Sequence, residues 1–467
     1  SEVEKLNLMF ASGTMPDFVN APYWSSTGGE GAVIKKGAIE GQLLAIDEYL
    51  DKYPNVKKLC TVGIAKDFYQ FDLHPPEFEG KTYIIPQQTP DGTVESITNF
   101  TYGCYARGDI LKALNVKPED IDTADKLYNL LTDIKNGGFK DINGKPVIPA
   151  GTLHNGWDHT RFLEFWTDYN ISGYRFENGK VINYIFSKDE EDKLMYMRKL
   201  IKNGLFDPEA FSNTDTMGKE KLAVGKLAVF GAQAMVSDLY NPLYKTNPEM
   251  KYEKLGPFKN KSGKPVAQVE KKGRSGFPAM FLSAQTKKAD DVLRVLDWEN
   301  SDEGLLFTYW GIENVHHTIE NGVPKWIPDV KTKWDADGTI KRDEGLWYIP
   351  NFFIGAFSNN VKWPQPDSEK DEAALMVQEY YKVTPIVLVD KVSAAYLGRD
   401  WPGRKEYLEK TAQLDYSTTL KTAYYVDTDE EALKMLNDIR QKYLDAGAQE
   451  YADYIAEKAK GRDDVGF

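Results

Sequence analysis

The sequence predicts an α/β fold divided into two domains. Apolar strand-like runs alternate along the chain with segments of helical periodicity, the pattern of α/β lobes rather than of a sandwich or a bundle. At 467 residues the chain is too long for one compact core. Cap and stop signals then bound the clearest elements. Ser187 and Glu190 spell a capping box, Leu194, Met197 and Ile201 line one helical face behind it, and Asn203-Gly204 stops the helix. Thr428 and Glu431 repeat the box ahead of a long terminal helix with Leu433, Leu436, Ile439 and Tyr443 as its stripe. Gly256 to Gly276 reads as a surface hairpin, because Lys-Ser-Gly-Lys is a turn between short alternating segments. Lys333 to Gly345 reads the same way around the tight-turn dipeptide Asp337-Gly338, which makes its carboxylates turn-formers rather than metal ligands.

Composition excludes several function classes. A formal charge of -13 argues against nucleic acid, whose phosphates demand clustered Lys and Arg, and it disfavours acidic ligands. No run approaches the roughly 18 apolar residues of a membrane span. The opening SEVEKL has neither the basic start nor the apolar stretch of a signal peptide. Cys60 and Cys104 lie too far apart for a metal knuckle or a redox Cys-x-x-Cys. Each sits in an apolar, strand-like run, LCTVGI and TYGCYA, which predicts buried free thiols. There is no G-x-S-x-G elbow, P-loop, H-E-x-x-H or Rossmann glycine fingerprint. His74, His154, His159, His316 and His317 offer no spacing that sets two imidazoles and a third ligand on one helical face. The abundant carboxylates leave a glycosidase pair open, but sequence does not set their separation.

Aromatic content points toward sugars: 27 Tyr, 22 Phe and 10 Trp, with many Trp outside helical core patterns. A sugar presents flat C–H faces and a rim of hydroxyls, so its site pairs rings with hydrogen-bonding Asp, Asn, Arg and Gln. Four segments carry that mixture. Tyr23 and Trp24 follow the Pro16-Asp17 turn, and Trp157 stands beside Asn155, Asp158 and Arg161. Trp347, Tyr348, Asn351 and Phe352 share a loop-like run, and Arg399, Asp400 and Trp401 precede Pro402. Structural readings compete: Trp347 and Phe352 as plugs of an apolar seam, Trp401 as a turn clamp. Trp166 and Trp298 fall within helical periodicity and read as core.

Five stretches, in order, resemble the extracellular solute-binding proteins of sugar-importing ABC transporters, family 1, most closely its LplA-like lipoproteins. They are EKLNLMFASGTMPDFV, with Ser12, Gly13, Pro16 and Asp17; Gly41 to Leu59; Thr101 to Val116; EEDKLMYMRKLIKNGLFDPEAF with the following GKLAVF; and Leu282 to Val315, which carries Ser301 to Gly304 and the Gly311 to Glu313 turn. The resemblance implies that the first of these is a strand and turn, the second a helix and the third a strand crossing between lobes. It implies a two-lobed, type II periplasmic-binding-protein-like fold with a ligand cleft between lobes joined by hinge strands. Residues 1–105 with 276–314 would form lobe 1, and 106–275 with 315–467 lobe 2. A bound oligosaccharide would stabilise the closed form, which an ABC permease recognises. Taken with the aromatic segments above, the expected contacts are Asp17, Tyr23, Trp24, Tyr102, Tyr105, Arg107, Asn155, Trp157, Trp310, Trp347, Asn351, Phe352, Arg399 and Trp401, of which Arg107 matches the Arg of the family's crossing motif.

The same resemblance implies a monomer outside the cytoplasm, lipid-anchored at the cell surface or periplasmic, with no catalysis and no nucleic acid. Members usually carry a lipid-anchored Cys, a linker and a strand-helix-strand unit ahead of the EKLNLMFASG element, at which this chain starts. Many also carry an Asp/Asn-rich calcium loop. Here that place reads KNGGFKDINGKPVIP, where only Asp141 and Asn143 keep ligand spacing, so no metal or other cofactor is expected. The rival readings are a polysaccharide-degrading hydrolase or lyase, and a binding protein for peptides or another small solute.

Overall fold

The structure, a computed structural model, describes residues 2–21, 29–62, 69–86, 101–153, 156–166, 173–177, 179–234, 242–263, 279–336, 338–346, 363, 375 and 392–466. The chain is mixed α/β and divides into two compact units, Ser1–Ile97 with Glu270–Glu369, and Thr98–Val269 with Lys370–Phe467.

In the first unit, strand Ala279–Leu282 runs centrally and pairs antiparallel with Phe18–Ala21 on one side and Ile85–Pro86 on the other. All four residues of the central strand are buried, as expected when both faces of a sheet are covered. Phe281 packs with Leu6, Ile34, Leu73 and Phe78 in one core cluster; Met280 and Leu282 pack with Val56, Cys60, Leu293 and Leu296 in another. The opening segment is a helix, Glu2–Ser12, not the expected strand. Leu6 is its buried residue and Met9 and Phe10 lean on the core, a helical spacing that a strand would have split between faces. Gly41 to Leu59 is α-helical only from Pro54, where the proline sits in the first turn and needs no donor, after a short 3-10 turn at Asp47–Tyr49. Upstream, Leu43 bridges to Ser283 instead. Cys60 is on that helix rather than a strand, and both Cys60 and Cys104 are buried thiols outside any disulfide.

Residues expected in lobe 2 also fall in the first unit. Trp310, closing helix Asp302–Trp310, stacks at 4.7 Å on Trp326 of the hairpin His317–Glu320/Val323–Trp326, and its carbonyl lies 2.9 Å from His317 Nδ1. The expected hairpin at 333–345 is two helices, Pro328–Ala336 and Gly338–Asp343. Trp334 joins the Trp326 ring and donates to Glu344, contacts that favour a helical path.

The second unit is built on a four-stranded sheet. Ile148–Thr152 runs parallel to Leu227–Ala234, which pairs antiparallel with Thr101–Arg107, itself flanked by Tyr252–Lys254. Cys104 and Ala106 face one core cluster and Tyr105 the other, the two-residue alternation of a strand covered on both sides. Helix Lys188–Lys202 buries Leu194, Met197 and Leu200, with Ile201 half-buried, and Gly204 takes the left-handed φ of +61° that ends it. Its expected capping box is not made: the Ser187 hydroxyl is buried without a partner, and Glu190 bonds Lys193 and Tyr416 instead. Helix Asp429–Asp445 is capped as expected, the Thr428 hydroxyl accepting from the Glu431 amide at 3.1 Å. Arg198 ties these helices together, donating to Asp429 and to the Ala423 carbonyl.

Candidate ligand-binding site

Two parallel strands of the second unit, Ile148–Thr152 and Leu227–Ala234, end at one edge of the sheet, where Thr152 registers with Gly231. The antiparallel strand Thr101–Arg107 starts at that edge, Thr101 opposite Ala234 and Tyr102 opposite Gln233. In α/β sheets ligands sit beyond the carboxyl ends of the strands, so this edge is the candidate site.

The chain turns there at Gly156, whose φ of +73° and whose crowding against Phe211 and the Ala210 carbonyl exclude a side chain. Trp157 then opens a 3-10 run, Trp157–Trp166. The run is pinned from beneath. Asp158, fully buried, accepts the Leu153 amide at 3.1 Å, and His159 brings Nδ1 to 2.6 Å from the Gly156 carbonyl and Nε2 to 3.0 Å from the Tyr424 hydroxyl. Burial pushes the His159 imidazole down to about 4, so the ring is neutral near pH 7. The backbone of Trp157 is thereby fixed at the edge that Tyr102 enters.

Charged groups lie close by in the same unit, Arg161 and Glu164 half-buried and Lys254 buried. Arg161 donates to Glu164 at 2.8 Å, and the Lys254 ammonium stands 5.4 Å from the centre of the Tyr105 ring. Desolvation pulls the Lys254 amine down to about 8, partly offset by the Glu164 carboxylate. Gly103 is bare where any side chain would run into that ammonium. Among the described residues no three His, Cys, Asp or Glu gather as a metal site.

The expected contacts fare differently. Tyr102 and Trp157 are brought to the edge by their backbones. Arg107 is at the far end of its strand, opposite Tyr252 and about 17 Å from Tyr102 at strand rise. It is 1% exposed and its donors are used, on Asp109 at 2.6 and 3.0 Å and on the carbonyls of Lys140 and Gly225 at 2.9 and 2.6 Å. Arg107 is therefore an internal brace rather than a ligand contact. Tyr105 is fully buried and stacks on Phe230. Trp310, 2% exposed, is likewise an interior ring of the first unit. Asp17 accepts from Thr286 at 2.7 Å and has Lys288 at 3.7 Å, closing the turn after the central strand. Trp401 leans on Tyr451 and Tyr407, the clamp reading, and Arg399 is half-buried just ahead of it. Tyr23, Trp24, Asn155, Trp347, Asn351 and Phe352 lie outside the described residues, as do the side chains of Tyr102 and Trp157. Sequence reasoning missed Lys254 and the His159–Tyr424 contact. Neither had a local signal: Lys254 ends the polar strand Tyr252–Lys254, and the second joins residues distant in sequence.

The loop 140–145 is closed by its own backbone. Asp141 Oδ1 accepts the amides of Asn143 and Lys145, each at 2.9 Å, and the Arg107 guanidinium holds the Lys140 carbonyl.

No protein-family model matches the chain. Over 253 residues it is 25% identical to lipoprotein LipO of Bacillus subtilis, covering 49% of this chain and 48% of that one. It is 22% identical over 353 residues to the polygalacturonan/rhamnogalacturonan-binding protein YtcQ of the same organism, covering 70% and 63%. The chain thus spans about half the length of the first of these relatives. Among solved structures, alginate-binding protein AlgQ2 without calcium ion superposes with a TM-score of 0.67 at 20% identity, covering 97% of this chain and 88% of that one. The Streptococcus pneumoniae ABC-transporter substrate-binding protein FusA, as an EF-hand mutant with fructo-nystose, gives 0.65 at 18% identity, covering 98% and 89%. The similarity read from the five sequence stretches is met again in three dimensions: this chain has the α/β fold of the oligosaccharide solute-binding proteins of ABC transporters.

Proposed function

We propose that this protein binds an oligosaccharide outside the cytoplasm and delivers it to the permease of an ABC importer, without altering it chemically. The observation that carries the reading is the sheet edge to which the backbones of Tyr102 and Trp157 come, with Arg161 in the same run as Trp157, in a fold shared with an alginate-binding protein and a protein complexed with fructo-nystose. The similarity to a polygalacturonan/rhamnogalacturonan-binding protein supports the ligand class, and that to a lipoprotein supports a place at the membrane surface. No helix among the described residues is long and apolar enough to cross a membrane. The protein works as a monomer and without a metal. Aromatic residues 23, 24, 347 and 352, with Asn155 and Asn351, complete the proposed contacts.

The test is calorimetric titration with neutral fructo-oligosaccharides and with oligouronates, followed by chromatography of the recovered sugar. Saturable binding with the sugar returned intact is expected. Shortened products would make the protein a hydrolase or lyase, and binding of peptides in place of sugars would refute the ligand class.

A further inference from the structure

Within the second unit, helix Lys188–Lys202, the 3-10 run Trp157–Trp166 and helix Tyr416–Ala423 enclose a cavity of about 230 Å³, far more than the roughly 10–15 Å³ a single water requires. Tyr184, Tyr416, Tyr424 and His159 line it, with Glu190 and Lys193 in one wall. The charges in that wall are internally settled. Glu190, 4% exposed, accepts the Lys193 ammonium at 2.8 Å on one oxygen and the Tyr416 hydroxyl at 2.9 Å on the other. The ammonium also stands 5.4 Å from the centre of the Tyr184 ring.

The remaining polar groups carry no charge near pH 7. His159 is neutral, as described above, and burial pushes the Tyr184 phenol up to about 12, so it stays a hydroxyl. No described residue hydrogen-bonds that hydroxyl, whereas those of Tyr416 and Tyr424 are engaged. Leu163, Leu194 and Leu420 supply apolar wall, and the exposed Ser417 sits at the mouth. An anion entering would meet the Glu190 carboxylate, and a cation the Lys193 ammonium, each already paired and neither free to serve as counter-ion. Ring faces with hydroxyls and no net charge instead match a molecule with C–H faces and a hydroxyl rim.

We propose that this cavity is a separate binding site for one small neutral polyhydroxyl molecule, a single sugar ring or a cyclitol. It goes beyond the oligosaccharide reading: its wall contains neither Tyr102 nor Trp157, although His159, Thr160 and Leu163 in that wall belong to the run that Trp157 opens.

The test is calorimetry on the full chain with D-glucose, D-galactose, D-mannose and myo-inositol, and D-galacturonate as the charged control. At least one neutral probe is expected to bind saturably, and galacturonate not. Ser417→Trp, which plugs the mouth from an exposed helical position, and Tyr184→Phe, which removes only the open hydroxyl, are each expected to weaken that binding by about tenfold or more, a 1.4 kcal/mol effect. Ser417→Trp should leave oligosaccharide binding unchanged, which separates this site from the proposed one. If Ser417→Trp fails to fold, Tyr184→Phe carries the test alone. The proposal is overturned if no neutral probe binds saturably, if galacturonate binds as well as they do, or if binding survives Tyr184→Phe and a folded Ser417→Trp undiminished.

Discussion

Two hydroxyls at helix starts show how a residue's worth depends on what it touches. Thr428 accepts the Glu431 amide, so Thr428→Ala should lower stability by about 1 kcal/mol in urea unfolding. Ser187, which spells the same motif, makes no such bond, and its buried oxygen has no partner. Ser187→Ala should therefore be neutral or slightly stabilising, since removing an unsatisfied polar atom removes its desolvation penalty. A loss equal to that of Thr428→Ala would show that the box forms in solution. Arg107 is the opposite case, one buried cation serving a carboxylate and two carbonyls. Arg107→Met should cost about 3 kcal/mol, because it strands those groups, while leaving sugar affinity in the surviving folded protein unchanged. Affinity lost in step with stability would restore Arg107 as a contact. Trp157→Ala and Trp24→Ala should instead weaken sugar binding by roughly 1 to 3 kcal/mol with little effect on unfolding, as expected for a lost stacking platform.

Among the elements, the loop 140–145 and helix Ala289–Glu299 carry testable electrostatics. The loop spends its Asp141 carboxylate on two of its own amides and is held by a guanidinium. A chelator should then leave both melting temperature and ligand affinity unchanged; a drop of several degrees restored by calcium but not magnesium would show ligands arriving from elsewhere. Glu299 ends its helix 4% exposed with Oε2 unpartnered, and desolvation pushes its carboxyl up to about 8. Its folded value lies above the unfolded one near 4.5, so the folded state holds the proton more tightly. That contribution to stability is full below about 4.5 and is lost as pH rises toward 8. Glu299→Gln should flatten the decline, measured as unfolding free energy from pH 5 to 8. An equal slope in parent and variant would place the titration on another group.

For the whole molecule, binding to the folded state alone adds RT ln(1 + [L]/Kd), about 2.7 kcal/mol at a hundredfold excess of ligand over Kd. A cognate oligosaccharide of two or more units should raise the melting temperature accordingly, and a flat response across neutral and uronate oligosaccharides would remove the proposed function. Each unit has its own sheet and its own core clusters, which licenses a second measurement: calorimetric unfolding with and without sugar shows whether one transition or both move.

Sequence by itself determined the α/β class, the amphipathic helices and the aromatic segments, since each is written in short-range periodicity or composition. Leu194, Met197, Leu436 and Ile439 repeat at helical spacing and are buried where that spacing puts them. Short range also misled. EKLNLMFASG satisfies strand and helix patterns alike until Leu6 and Phe10 find a core, and Ser187-x-x-Glu190 is a box only if Glu190 has no better partner than an amide. The tertiary structure decided what lies far apart in the chain. Arg107 and Trp310, polar and aromatic candidates on paper, became interior braces because Gly225, Lys140 and Trp326 came to meet them. Tyr102 and Trp157 share an edge because one strand pairs parallel and another antiparallel with Leu227–Ala234, a register set by burying both faces of the sheet at once, which no local pattern encodes.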